Sequence, residues 1–158
     1  MKRVLNAATV LAIIGLGTWL WVREAGWVTT PDNAAIPAAV TRALQRAYPK
    51  AAAVIWTKEG AEYEAEFADG QTRWKTWIML TPAGQITEVE REIPPGQLPG
   101  GVRHHLAAQY ADYQVAEAAL VVRGADTLYE AALARTGRVH EVYMRADGTE
   151  VPLPKVDD

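Results

Sequence analysis

The chain contains no cysteine and no serine in its 158 residues. The first absence excludes disulfides, thiolate chemistry, cysteine-ligated zinc, c-type haem attachment and a lipoprotein anchor cysteine. The second removes serine nucleophiles and the P-loop signature. Gly-x-Gly-x-x-Gly is missing too. Histidine is scarce, with three residues, which leaves little material for a multi-histidine metal site. Basic residues are outnumbered, 16 against 19 acidic, for a formal charge of −3 and a pI of about 5.6. A nucleic-acid binder needs a basic surface, so that class is set aside. What remains is 49% hydrophobic and 22% charged, a composition that folds. The length suits one ordinary domain or two very small ones.

The N-terminus reads as a membrane segment. Lys2 and Arg3 precede an uncharged, almost wholly apolar run from Val4 to Val22, closed by Arg23 and Glu24. As a helix the run is long enough to cross a bilayer core. Trp19, Trp21 and Trp27 gather at its far end, where an aromatic belt sits. The positive charges come first, so the N-terminus is expected in the cytoplasm and the body outside it. The alternative is a secretory signal, removed so that the body is secreted. The run is longer than a signal core, and Leu20-Trp21-Val22 offers no small-residue cleavage site. The reading is therefore a membrane anchor over residues 1–24 and a linker over 25–35 containing Thr29-Thr30-Pro31-Asp32-Asn33.

Beyond the linker the chain is written twice. Ile36-Pro37-Ala38-Ala39-Val40 recurs as Leu98-Pro99-Gly100-Gly101-Val102, and Leu44 and Tyr48 match Leu106 and Tyr110. Tyr63-Glu64-Ala65 recurs as Tyr129-Glu130-Ala131, and Pro82-Ala83-Gly84 matches Ala146-Asp147-Gly148. The order is kept with small drifts in spacing, the signature of an internal repeat. The units are 36–92 and 93–156.

Each unit opens with a proline at a helix start. Apolar residues follow at helical spacing: Val40, Ala43, Leu44, Ala47 and Tyr48, then Val102, Leu106, Ala107 and Tyr110. Pro49 stops the first helix. Strands are expected at 53–57, 62–67, 73–80 and 85–92, and again at 115–123, 127–134, 138–145 and 149–151. Strict alternation puts Tyr63, Ala65 and Phe67 on one face and Glu62, Glu64 and Glu66 on the other. Trp74 shares a face with Ile78 and Leu80 and is expected in the core. Trp77 shares the other with Arg73, Lys75 and Met79. The fold class is thus α+β: tandem helix–antiparallel-meander repeats forming one sheet, both helices on one face, the other face open to solvent.

These features together resemble the PepSY-like family of exported bacterial proteins: the Ile/Leu-Pro start, Tyr48-Pro49, the Tyr-Glu-Ala strand, and Gly84 and Gly148 before a final strand. The second unit departs in carrying Ala111 after Tyr110 and Gly100-Gly101 in its first helical turn. The tandem form is similar in architecture to β-lactamase-inhibitor-like proteins. The resemblance implies a non-enzymatic, exported binding module, with peptidases or other hydrolases as partners, and supplies no catalytic residue and no cofactor.

The chemistry-bearing residues fit that class. His104 and His105 are adjacent and point apart on a helix, unlike a two-ligand pair. His140 is the pH-responsive candidate. Glu62, Glu64 and Glu66 are expected to pair across a hairpin with Arg73 and Lys75. A tryptophan among polar side chains on an open sheet is an interface anchor. The candidate partner-binding residues are therefore Trp77, Arg73, Lys75, Met79, Glu64 and Glu66, with Tyr143 and Glu141 in the second unit. The competing functional reading is an envelope sensor or ligand carrier that binds a metal or proton through His140 and the acidic stripe. An enzyme is the third reading, disfavoured because the chain shows no nucleophile–base constellation.

Overall fold

The computed structural model describes residues 36–68 and 74–152. Among these, no helix is long and apolar enough to cross a membrane. The anchor expected over residues 4–22, the linker, the Asp69-Gly70 turn and Arg73 lie outside the described residues.

Helix α1 (Ala38–Ala47) leads into strands β1 (Ile55–Glu59), β2 (Glu62–Ala68), β3 (Lys75–Leu80) and β4 (Ile86–Ile93). A short 3₁₀ turn at Pro95–Gln97 precedes helix α2 (Gly100–Gln109). Strands β5 (Gln114–Arg123), β6 (Asp126–Arg135), β7 (Arg138–Met144) and β8 (Glu150–Val151) complete the chain. All eight strands form one sheet in sequence order, and every neighbouring pair is antiparallel. The expected α+β architecture is the one observed, with strand ends shifted by a residue or two.

Both helices start and stop by the same local chemistry. Pro37 and Pro99 stand just before the first helical residue with fixed, non-helical geometry. Their carbonyls accept the first helical hydrogen bonds, from Val40 and Thr41 in α1 and from Arg103 in α2. Tyr48 and Tyr110 close the helices, donating main-chain N–H groups to Leu44 and Leu106. α1 ends just before Pro49, as expected, and α2 ends at the matching tyrosine with Ala111 in place of a proline.

Helical spacing places Val40, Ala43 and Leu44 against Trp56, Ala65, Phe67, Ile78 and Leu80. Val102 and Leu106 pack in the same way against Ala118, Ala131, Leu133, Val142 and Met144. The β4–β5 register pairs Val89 with Val122 and Ile93 with Ala118. Val89 belongs to the first core and Ile93 to the second, so both helices lie on one face of a continuous sheet. Ala47 and Ala107 fall on the solvent side of their helices instead.

Two expectations are corrected. Trp74 is exposed, at 36%. It sits one residue before β3 begins, where the alternation of the strand no longer fixes its side. The face opposite the helices is also not open throughout. Val121, Leu128 and Tyr143 form a third buried cluster there, with Val151 packed against it.

The helices are seated by main-chain contact with a turn. In the β3–β4 turn, Gly84 has φ +82°, and a Cβ there would lie 2.6 Å from the Ala39 carbonyl oxygen. In the β7–β8 turn, Gly148 has φ +90°, and a Cβ would lie 2.5 Å from the Gly101 carbonyl oxygen. Gly101 itself faces the Asp147 carbonyl, its added Cβ only 2.5 Å away. These contacts explain Gly101 in the second unit, where backbone meets backbone with no room for a side chain on it or on Gly148; Gly100 has open space around it, and nothing in the structure requires a glycine there. Gly137 also has positive φ, +74°, but nothing lies within 4 Å of it. Gly148→Ala is expected to cost about 2–4 kcal/mol, combining backbone strain with a clash in the packed helix start, whereas Gly137→Ala costs about 1 kcal/mol. Thermal denaturation of the two variants beside the wild type checks the ranking; equal losses would show that the helix seat is not tight.

Candidate functional site

The face away from the helices is assembled by register. Glu66 lies opposite Trp77, Trp77 opposite Glu90, Glu90 opposite Val121, and Val121 opposite Leu128. In the next row Glu92 opposes Ala119, Ala119 opposes Glu130, and Glu130 opposes Tyr143. Glu117 then faces Ala132, which faces Glu141. Because side chains alternate along each strand, all of these project to the same side.

The alanines are short and their neighbours tall, so a recess opens between them. It is a small, shallow hollow open to solvent, lined by Trp77, Glu90, Glu92, Glu117, Ala118, Ala119, Glu130 and Ala132. Trp77 is half-buried at its edge, and Glu130 is buried, at 3% exposure. Lys75 crosses the rim. Its ammonium pairs with Glu66 at 2.6 Å and stands 5.7 Å from the centre of the Trp77 ring. The Lys75 main-chain N–H donates to the Glu92 carboxylate at 3.0 Å. Farther along β4, Glu88 accepts from the Arg123 guanidinium.

This crowding shifts protonation. Burial, reinforced by the charge of Glu92, raises the Glu117 carboxyl above the ordinary carboxylate range, with Lys75 pulling the other way. Burial also pushes the Tyr143 hydroxyl far up, helped by the charge of Glu130 and a hydrogen bond to it. Tyr143 therefore stays protonated at any physiological pH.

The structure brings Glu64, Glu66, Lys75, Trp77 and Met79 together on β2 and β3, with Glu64 opposite Met79. The expected cross-strand pairing is present as Lys75–Glu66. Glu141 and Tyr143 share the face but lie on β7, four strand spacings or roughly 19 Å from Trp77. Tyr143 is 7% exposed and packs in the third core cluster, so it is a buried support of this face rather than a projecting contact. The sequence reading passed over Glu90, Glu92, Glu117 and Glu130. Two signals were present: the period-2 run Glu88-Glu90-Glu92 and the match of Glu130 to Glu64 in the repeated Tyr-Glu-Ala.

The histidines sit elsewhere. His105 Nε2 meets Glu150 Oε1 at 2.8 Å, and the Tyr110 hydroxyl donates to the same oxygen at 2.9 Å. These two hydrogen bonds hold the Glu150 carboxyl below its ordinary range. His140 is exposed beside the Tyr110 ring, 5.8 Å between centres. It is opposite Leu133, on the helix side of the sheet, so it does not meet the glutamate stripe of β2. Among the described residues no group of histidine, aspartate and glutamate is placed to hold a metal ion.

The fold is shared with solved structures. A candidate periplasmic protein from Bacteroides eggerthii superposes with a TM-score of 0.68 at 20% identity, covering 73% of this chain and 86% of its own. A DUF2874 family protein from Bacteroides uniformis gives 0.66 at 19% identity over 73% and 86% of the two chains. A BLIP-like protein from Bacteroides fragilis gives 0.61 at 19% identity over 73% and 84%. No family model and no curated protein sequence matches this chain.

Glu117 gives a test of the recess. A carboxyl raised by folding contributes stability below its ordinary pKa of 4.5 and loses it as pH rises through the folded value. Glu117→Gln is thus expected to melt higher than the wild type at about pH 7, the difference vanishing by about pH 3.5. Melting curves across that range measure it; a variant less stable at neutral pH would show that the carboxylate is favourably held.

Proposed function

We propose that this protein is a non-enzymatic binding module of the bacterial envelope, anchored through residues 4–22, with its sheet outside the cytoplasm. It takes a protein partner, in the first place a peptidase or another hydrolase, on the face opposite its helices. The observation that carries the reading is the recess on that face, edged by Trp77 and built across β3 to β6. A half-buried tryptophan beside a concavity on a rigid sheet is the usual chemistry of an interface anchor. Three things support the surroundings of this reading: the basic residues ahead of the apolar run, the PepSY-like sequence features, and a fold shared with a BLIP-like protein and a candidate periplasmic protein. The complete absence of serine and cysteine is in keeping with a binding role.

The test is capture from native envelope extract by the full chain in detergent. Trp77→Ala serves as the comparison, after circular dichroism shows both folded. The variant is expected to lose at least tenfold of the captured partner, the scale of an interface anchor of about 2 kcal/mol or more. Equal capture would move the interface off this face. Failure of the variant to fold would assign Trp77 to the core.

A further inference from the structure

We propose that the outer side of α1 lies on the anionic headgroup surface of the membrane that holds residues 4–22. The inference rests on the anchor reading above and adds how the body sits on that membrane.

Charge is separated along the first half of the chain. Residues 36–58 contain Arg42, Arg46, Lys50 and Lys58 and no acidic residue. Arg42 and Arg46 stand one turn apart on the side of α1 away from Val40 and Leu44, and both are exposed. Lys50 follows the end of the helix and is exposed as well. Lys58 is exposed on β1 and shares a face with Trp56, which packs beneath α1, so it projects to the helix side of the sheet. Among the described residues no carboxylate pairs with any of these four cations.

The second half serves as an internal control. The positions that match Arg42, Arg46 and Lys50 are His104, Ala108 and Asp112, yet α2 packs on the sheet as α1 does. Folding therefore does not call for the basic stripe. It occurs only in the half that the linker joins. The described residues begin at Ile36, immediately ahead of α1. A coil of about a dozen residues between the apolar run and that point spans roughly 20 Å. An anchored chain thus holds α1 within reach of the headgroups, and the tether makes weak attractions effective. Each basic side chain near an anionic surface strengthens the hold about fivefold. With α1 on the lipid, the opposite face, where β2 and β3 carry Glu64, Glu66 and Trp77, is turned outward toward a partner.

The experiment places the full chain in nanodiscs of phosphatidylcholine, with and without phosphatidylglycerol, each carrying a trace of gadolinium-chelate lipid. Relaxation is read by NMR. With phosphatidylglycerol, the amides of Ala38–Ala47 are expected to relax faster than the Trp77 indole N–H on the far face. The contrast should vanish in pure phosphatidylcholine and at high salt. Arg42→Gln/Arg46→Gln is expected to lower the ratio of docked to undocked protein about 20-fold. Circular dichroism checks that it folds; if it does not, Lys50→Gln/Lys58→Gln takes its place, with the same fall expected. Equal contrast in both lipids, an indole that relaxes faster than α1, or docking unchanged in the folded double variant would each overturn the proposal. A chain that elutes apart from both discs overturns the anchor reading and this inference with it. A chain retained by both, with α1 no nearer the lipid than Trp77, leaves the anchor standing and removes the docking of α1.

Discussion

The architecture depends on two places where main chain touches main chain. Gly84 abuts Ala39, and Gly148 abuts Gly101, each across a gap that a single Cβ would close. A helix laid on a sheet is free to slide and rotate unless something fixes its end. Here the first turn of each helix is seated on the tight turn that joins the last two strands of its half. Once that end is set, helical spacing aims Val40 and Leu44, or Val102 and Leu106, into their cores. The opposite side of the sheet then receives the alternate residues of every strand.

That opposite side acquires its character where the halves meet. The β4–β5 pairing runs from Glu88–Arg123 to Ile93–Ala118. It places Glu90 and Glu92 of the first half beside Val121 and Ala119 of the second. Glu117 and Glu130 complete the hollow from strands that are distant from Trp77 in sequence. Neither half contains the recess by itself, so the fusion of the two meanders into one sheet creates the site.

Local order explains what the sequence disclosed. Alternation in Glu62–Phe67 and Lys75–Leu80 assigns faces without any knowledge of the fold, which is why Trp77, Lys75, Met79, Glu64 and Glu66 were found together. The turn glycines were legible for the same reason, although the need for Gly101 emerged only from its contact with Asp147. Features that depend on distant partners were not legible. Tyr143 looks like a surface residue on its own strand, and its burial needs Val121, Leu128 and Val151 from three other strands. Trp74 failed in the other direction, because its strand begins at Lys75, two residues later than the expected start at 73. The recess glutamates were visible as strand residues, but their convergence is a property of the β3–β6 register.

The strand order carries a consequence for how the molecule assembles. Each of the strand pairs within a half joins sequence neighbours, so those ladders can zip from short loops at small entropic cost. The exception is the β4–β5 ladder, whose closure must span the 3₁₀ turn and all of α2. Folding should accordingly proceed through two separately nucleated halves whose joining is the slow step. The last ladder to form is then the one that brings Glu90 and Glu92 alongside Glu117, so the hollow on that face takes shape only when the chain is fully folded.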